Sequence, residues 1–269
     1  MSRANRVETR SRPSLRSAVA SLLAFTVLWA ACAPLFGPTA STLSGHPGFA
    51  WHSVKTAHFR LYFERESFAE RHIDALKERA EQSRTRVLAL LGVTDYSAQV
   101  TVFVVGSRAR MKALIGKEVN GQAIPSRNVI LVVVSDSIDA FSAHELCHVV
   151  AKSLWGDADD WINEGLAVYA DDRWQGRALH AVANYFLGRR ELVPLSVLLQ
   201  RFDDRPEVVS YPEAGSFVKF LYESYGIGAI KQVWIGGAAA IPRVTGKSID
   251  AIEREWHDRI APRRQSNNR

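Results

Sequence analysis

An α+β fold is what this sequence predicts, on three observations. Its first half alternates short period-two apolar runs with helical spacing. Its second half carries apolar residues mostly at helical spacing. Turn-formers, "SLWGDADD", separate the two near Trp155–Asp160. The 269 residues, 47% apolar and 23% charged, are enough to bury a real core.

The N-terminus stands apart from that fold. "MSRANRVETRSRPSLRS" carries Arg3, Arg6, Arg10, Arg12 and Arg16 against Glu8, and the uncharged run "AVASLLAFTVLWAACA" follows. A basic, then apolar, then small-residue order is that of an export segment, assigned to residues 1–32. The run is short for a membrane span, which needs about 20 residues. "WAAC" resembles a bacterial lipoprotein cleavage box, so Cys32 is a candidate for lipidation, beside plain export and a retained anchor. Without residues 1–31 the net charge of +6 falls to about +2, which leaves no basic face for nucleic acid. Only Cys32 and Cys147 are present. A disulfide-stapled scaffold is therefore excluded once Cys32 is acylated or removed.

"PLFGPTASTLSGHPG" is rich in Pro, Gly, Ser and Thr and reads as a flexible linker over 33–50. A domain is expected over 51–260, with an upper, sheet-bearing part at about 51–155 and a lower, helical part at about 156–260. A disordered tail is expected at 261–269.

In "HFRLYF", Phe59, Leu61 and Phe63 alternate with His58, Arg60 and Tyr62, as a strand requires. Trp51, Phe59, Tyr62 and Phe63 read as packing residues. Ser67 to about Leu91 has helical spacing, with Ile73, Leu76, Ala80, Val87 and Leu91 near one face. "QVTVFVV" (Gln99–Val105) and "NVILVVV" (Asn128–Val134) predict buried strands. "RARMKALIG" between them predicts a short helix ending at Gly116. "SDSIDAFSAHELCHVVAKSL" offers Asp and Ser caps and then an apolar helix. Further helices are expected at "DWINEGLAVYADD", "RALHAVANYFLG" and "LSVLLQRF". Two more are expected at "YPEAGSFVKFLYESYG", closing on Gly226, and at "SIDAIEREWHDRI".

"HELCH" carries the chemistry. Residues four apart lie one turn apart on a helix, so His144 and His148 can present two imidazoles to one point. Zinc accepts imidazole nitrogen, and catalytic zinc keeps three protein ligands and one open position. Glu145 is one step round the helix, placed to act as base toward water at the metal. A third ligand must come from elsewhere. The turn-rich "SLWGDADD" lets the next helix return Glu164, beside Gly165, to the same point. One Zn2+ is the expected cofactor. Cys147, a neighbouring helix position, reads as a small core residue, and Trp155 and Trp161 read as core cover. Asp159 and Asp160 read as caps of the "DDWINEG" helix rather than as a second metal site.

"HELCH" followed by "WINEGLAVYAD" resembles the gluzincin metallopeptidases, in particular the small peptidase-MA-like proteins. "YPEAGSFVKFLYESYG" is similar to their downstream helix, and the likeness covers roughly Val54 to Trp256. The metzincin pattern is not met, because Ala151 and Leu154 stand where Gly and His are needed. The resemblance implies a zincin-like fold, with a mixed-sheet upper lobe, an active-site helix and a mostly helical lower lobe. It implies His144, His148 and Glu164 as zinc ligands and Glu145 as general base. It also implies an edge strand, expected to be "NVILVVV", that pairs with an extended peptide. Some gluzincins carry an acid one turn after the glutamate ligand; that place is Val168 here. Asp171, two turns on, is the candidate to orient a histidine, with a surface acid as the alternative. Tyr211 is the candidate to stabilise an oxyanion, with simple packing as the alternative.

The function expected is therefore that of a zinc-dependent peptidase acting on peptide or protein substrates outside the cytoplasm. It would be secreted, or attached to a membrane through its N-terminus. The alternatives are a non-catalytic zinc-stabilised envelope binding module and a zinc amidase acting on cell-wall peptides.

Overall fold

The computed structural model describes residues 37–261. The expected export segment at 1–32, Cys32 and nearly all of the expected tail lie outside the described residues. No helix among those described is long and apolar enough to cross a membrane.

Five strands form one mixed sheet in the order β1-β2-β3-β5-β4. They are β1 (Trp51–Lys55), β2 (Phe59–Glu64), β3 (Val100–Val105), β4 (Gly121–Ile124) and β5 (Val129–Val133). The central pairs β2–β3 and β3–β5 are parallel, and the flanking pairs β1–β2 and β4–β5 are antiparallel. β2 buries Phe59, Leu61 and Phe63 and leaves Arg60 and Tyr62 partly exposed, as its alternation requires. β5 is apolar throughout, and β3 is apolar but for the partly exposed Thr101, because both faces are covered. On one face Val102, Val104, Ile130 and Val132 join helices α3 (Ile73–Leu91) and α5 (His144–Trp155). On the other, Phe103, Leu131 and Val133 meet Met111 and Leu114 of α4 (Arg108–Ile115). Tyr62 stacks on Phe103 at 4.7 Å, and Trp51 on Phe49 at 5.0 Å.

Four expectations are corrected here. "NVILVVV" is not an edge strand: β5 lies between β3 and β4, and the edge on that side is "GQAI", which has too few apolar residues to announce itself as a strand. A run apolar at every position marks an interior strand, not a rim. Second, the 33–50 segment is not wholly a flexible tether. Ala40–Ser44 form helix α1, capped by Thr39, and Leu43 and Phe49 are buried, with the Trp51 indole N–H donating to the Leu43 carbonyl at 3.0 Å. Third, the cap position of α5 is Ala143, not an Asp or Ser; Ser142, one residue before it, accepts the His144 N–H through Oγ at 3.4 Å. Asp139 is instead held by Arg79 at 2.7 Å. The helix expected over Ser67–Leu91 is broken at His72 into α2 (Phe68–Arg71) and α3.

The second half is helical as expected. Its elements are α6 (Asp160–Asp171), α7 (Leu179–Arg189), α8 (Leu195–Gln200), α9 (Glu207–Gly236), α10 (Ile241–Thr245) and α11 (Ile249–Ile260). A small hairpin, β6 (Arg173–Trp174) and β7 (Arg177–Ala178), turns through Gln175 and Gly176, both at positive φ. Gly226 is the one non-helical residue inside α9 (φ 75°, ψ 176°). The chain resumes its helix beyond it because Ala229, Ile230, Val233 and Trp234 have core to fill. Trp155, half-buried, packs edge-on against Trp234 at 5.6 Å and covers the core, and Trp161 is buried within it beside Phe217. One continuous apolar cluster joins the sheet face, α3, α5, α6, α9 and α11. The two helices that carry the sequence motifs are thus set inside the core rather than on its surface.

Glu213 of α9 is fully buried, and both its carboxylate oxygens accept the Val193 N–H, at 3.2 and 3.3 Å. Burial, partly offset by that N–H and by Arg205, raises its pKa from 4.5 to about 8. Between those values the folded protein keeps a proton that the unfolded chain has released. Stability therefore falls as pH rises from about 4.5 to about 8, in total on the order of a few kcal/mol. Glu213→Gln keeps an acceptor for Val193 and cannot ionise. Its melting temperature should match the wild type near pH 5 and exceed it at pH 8.5. Thermal melts across that range check this, and a variant that melts lower at pH 8.5 would refute it.

Candidate metal centre

α5 and α6 meet at the floor of a cleft of about 740 Å³, whose far wall is β4. α5 turns Leu146, Val149 and Val150 into the core, and His144 and His148 toward α6. α6 contributes Glu164. The His144 Nε2 and His148 Nε2 atoms are 3.2 Å apart, and each is 3.4 Å from Glu164 Oε2. Among the described residues this is the only group of three or more such side chains that could hold a metal ion.

The donor set can be tested against an ion. Donors about 2.0–2.1 Å from a tetrahedral zinc stand about 3.3–3.4 Å from one another. The two histidine–glutamate separations, 3.4 Å each, fall at that spacing, and the imidazole pair at 3.2 Å is slightly tighter. The His148 Nδ1–H donates to Asn163 Oδ1 at 2.9 Å, which leaves its Nε2 lone pair facing the centre. Two imidazole acceptors 3.2 Å apart repel unless a cation or a proton lies between them. The charges around the site act in the same direction. Burial opposes charge on His144, yet the Glu164 hydrogen bond and the charges of Glu145, Glu164 and Asp171 raise its pKa to about 9. Burial would raise the Glu164 carboxyl, but the two histidines bring it down to about 2. The residues fit a divalent cation.

Glu145, expected as the base, lines the same cleft beside the cluster. Its carboxylate lies against Gly121 of β4. Tyr211 also lines the cleft. Its ring packs on Phe202 at 5.4 Å and on Trp174 at 5.9 Å, so packing and cleft exposure occur together. Burial and the charges of Glu164, Glu207, Asp203 and Glu145 push its hydroxyl above the ordinary range, which keeps it a neutral donor. Asp171 does not hydrogen-bond to either histidine. Its Oδ1 accepts the Ala143 N–H at 2.9 Å, at the start of α5, and its charge acts on His144 from there. The side chain that does hold a histidine is Asn163, which the sequence reading passed over. A second polar residue in "WINEGLA", directly before Glu164 and otherwise among apolar residues, was the available signal.

Cys147 is buried and its thiol is pushed up by burial, as a core residue's would be. Asp159 occupies the cap position of α6, but its side chain makes no cap bond there; only its carbonyl accepts, from Ile162 and Asn163. Asp160 faces Asp203, and burial together with that neighbour raises its pKa.

No family model and no curated protein matches the chain. Among solved structures it is similar to an aminopeptidase N family protein from Idiomarina loihiensis, at 13% identity and a TM-score of 0.43. That likeness covers 77% of this chain and 46% of the other, so the chain spans about half the length of that protein.

Proposed function

We propose that this chain is a zinc-dependent peptidase of the gluzincin type. The observation that carries the reading is the set of three donors, 3.2–3.4 Å apart, on the floor of a cleft that also holds a free carboxylate, Glu145. His144, His148 and Glu164 would hold the ion. Bound there, zinc supplies Lewis acidity that makes water a nucleophile near neutral pH. Glu145 takes the proton from the attacking water and delivers it to the leaving nitrogen. The Tyr211 hydroxyl donates toward the oxygen on which negative charge develops.

The substrate's track would be β4. The Val133 N–H donates to the Asn120 carbonyl, which makes Gly121–Val132 a pair whose own backbone groups do not bond each other. The N–H and C=O of Gly121, and of Ala123 two residues on, therefore point outward, and both residues line the cleft. An extended peptide can add there as a further strand. The residue order over 1–32 supports action outside the cytoplasm, by plain export or with Cys32 as a lipid attachment point.

The test is direct. Purified protein should hold one zinc per chain and cleave an unfolded protein or a random peptide library. A chelator should abolish cleavage, and added zinc should restore it. Zinc-loaded protein that cleaves no peptide would refute the proposal. Asn163→Ala should weaken zinc binding by about 10–100-fold, because it leaves the His148 Nδ1–H without its acceptor, and Asn163→Asp should retain most of the affinity. Competition against a chromophoric chelator reads both; an unchanged affinity in the Ala variant would remove Asn163 from the site.

A further inference from the structure

We infer that Gly121 is a positioning residue for Glu145: the missing side chain at this place on β4 is the space in which the base sits. The inference rests on the peptidase reading for its catalytic consequence, but not for its geometry.

Glycine needs a reason inside a strand, because it loses more backbone entropy on folding than any other residue and packs nothing. The usual reason is absent: Gly121 is not among the residues at positive φ. Its register is ordinary, opposite Val132 in an antiparallel pair. The remaining reason is close approach by another group, and that group is identified. A Cβ built on Gly121 would stand 2.3 Å from Glu145 Oε1, 3.0 Å from its Cδ and 3.2 Å from its Cγ. Turning the carboxylate about its last bond relieves only the first of these contacts. Cδ and Cγ must then give by a few tenths of an ångström as well, while Oε1 moves by about 1 Å, all away from β4.

What that movement costs follows from where Glu145 is anchored. Its Cα is fixed between His144 and Leu146 on a helix held in the core. The helix itself cannot shift without disturbing the two histidines. Gly121→Ala should therefore displace one carboxylate while leaving the donor set and the sheet in place. A misplacement of about 1 Å at a reacting group costs on the order of 10²-fold in rate. Peptide pairing along β4 uses backbone groups, which alanine retains, so binding should be spared.

The experiment compares Gly121→Ala with the wild type in four readouts. Its crystal structure should place the Glu145 carboxylate about 1 Å or more from its wild-type position, with β4 unmoved. Zinc content should stay at one per chain, and the melting temperature should not fall, since alanine suits a strand at least as well as glycine. For peptide cleavage, kcat should fall about 100-fold with KM within about threefold. In a Glu145→Gln background, adding Gly121→Ala should leave peptide affinity unchanged. A variant whose Glu145 keeps its place, or whose strand shifts and melts early, overturns the inference. So does a loss carried in KM rather than kcat. If the wild type cleaves nothing, the peptidase reading fails, and the crystal structure and melting curve still decide the positioning claim.

Discussion

Glu145→Gln should lower kcat for peptide cleavage by roughly 10³-fold and leave zinc binding in place. The two halves of that result come from different atoms. Zinc would be held by His144, His148 and Glu164, and Glu145 belongs to none of the three short separations. Glutamine has the same shape, so it fills the same pocket against Gly121. What it lacks is a site that accepts a proton from water and returns it to the leaving amine. One secondary effect has a definite sign. The Glu145 charge is one of those that raise the His144 pKa, so its loss makes the site slightly less attractive to a cation. Zinc affinity should fall by less than tenfold. Steady-state kinetics on metal-loaded protein, with zinc measured in the same sample, checks both. Cleavage within tenfold of the wild type would remove Glu145 from the chemistry, and with it the hydrolytic reading of the cleft.

The donor set was legible because its spacing is a property of one helix. His144 and His148 must share a face whatever the rest of the chain does. Glu164 was legible more weakly, through an acid in an apolar helix after a turn-rich segment. What sets the fine geometry was not. Asn163 and Asp171 are both polar residues on α6, and nothing in their spacing says which meets His148 and which meets the Ala143 amide. That choice is made by the angle at which α6 crosses α5. The edge strand was misplaced for a related reason. Apolar runs announce buried strands, whereas "GQAI" is short and half-exposed, and it becomes a strand only because β5 offers it an unpaired rim. Sites built at a rim are therefore the part of such a fold that a single sequence hides best.

Gly165→Leu should prevent folding, and even Gly165→Ala should destabilise the protein. The alanine variant is the sharper case, because two effects oppose each other. Alanine is better than glycine in a helix interior by about 1 kcal/mol, and Gly165 lies inside α6 with no positive φ to protect it. Against that, its Cβ would stand 2.7 Å from Val218 Cγ2, 2.9 Å from the Ala214 carbonyl oxygen and 3.0 Å from the carbonyl carbon. Val218 can adjust by a rotamer; the backbone of α9 cannot, being buried along that face and closed on the other side of the contact by Gly215 against Val168. Overpacking of this kind costs about 1–3 kcal/mol, and contact with backbone belongs at the upper end, so it outweighs the propensity gain. A net loss of about 1–2 kcal/mol corresponds to several degrees in melting temperature for a domain of this size. Glu164 is the adjacent residue, so forcing α6 away from α9 also moves one of the three side chains that would hold the ion. The melting temperature of Gly165→Ala should thus fall further below wild type with saturating zinc than with chelator present, since the bound ion stabilises only the fold that can hold it. An alanine variant that melts at or above wild type would mean that helix propensity governs this position and that the close approach of α6 to α9 does not fix Glu164.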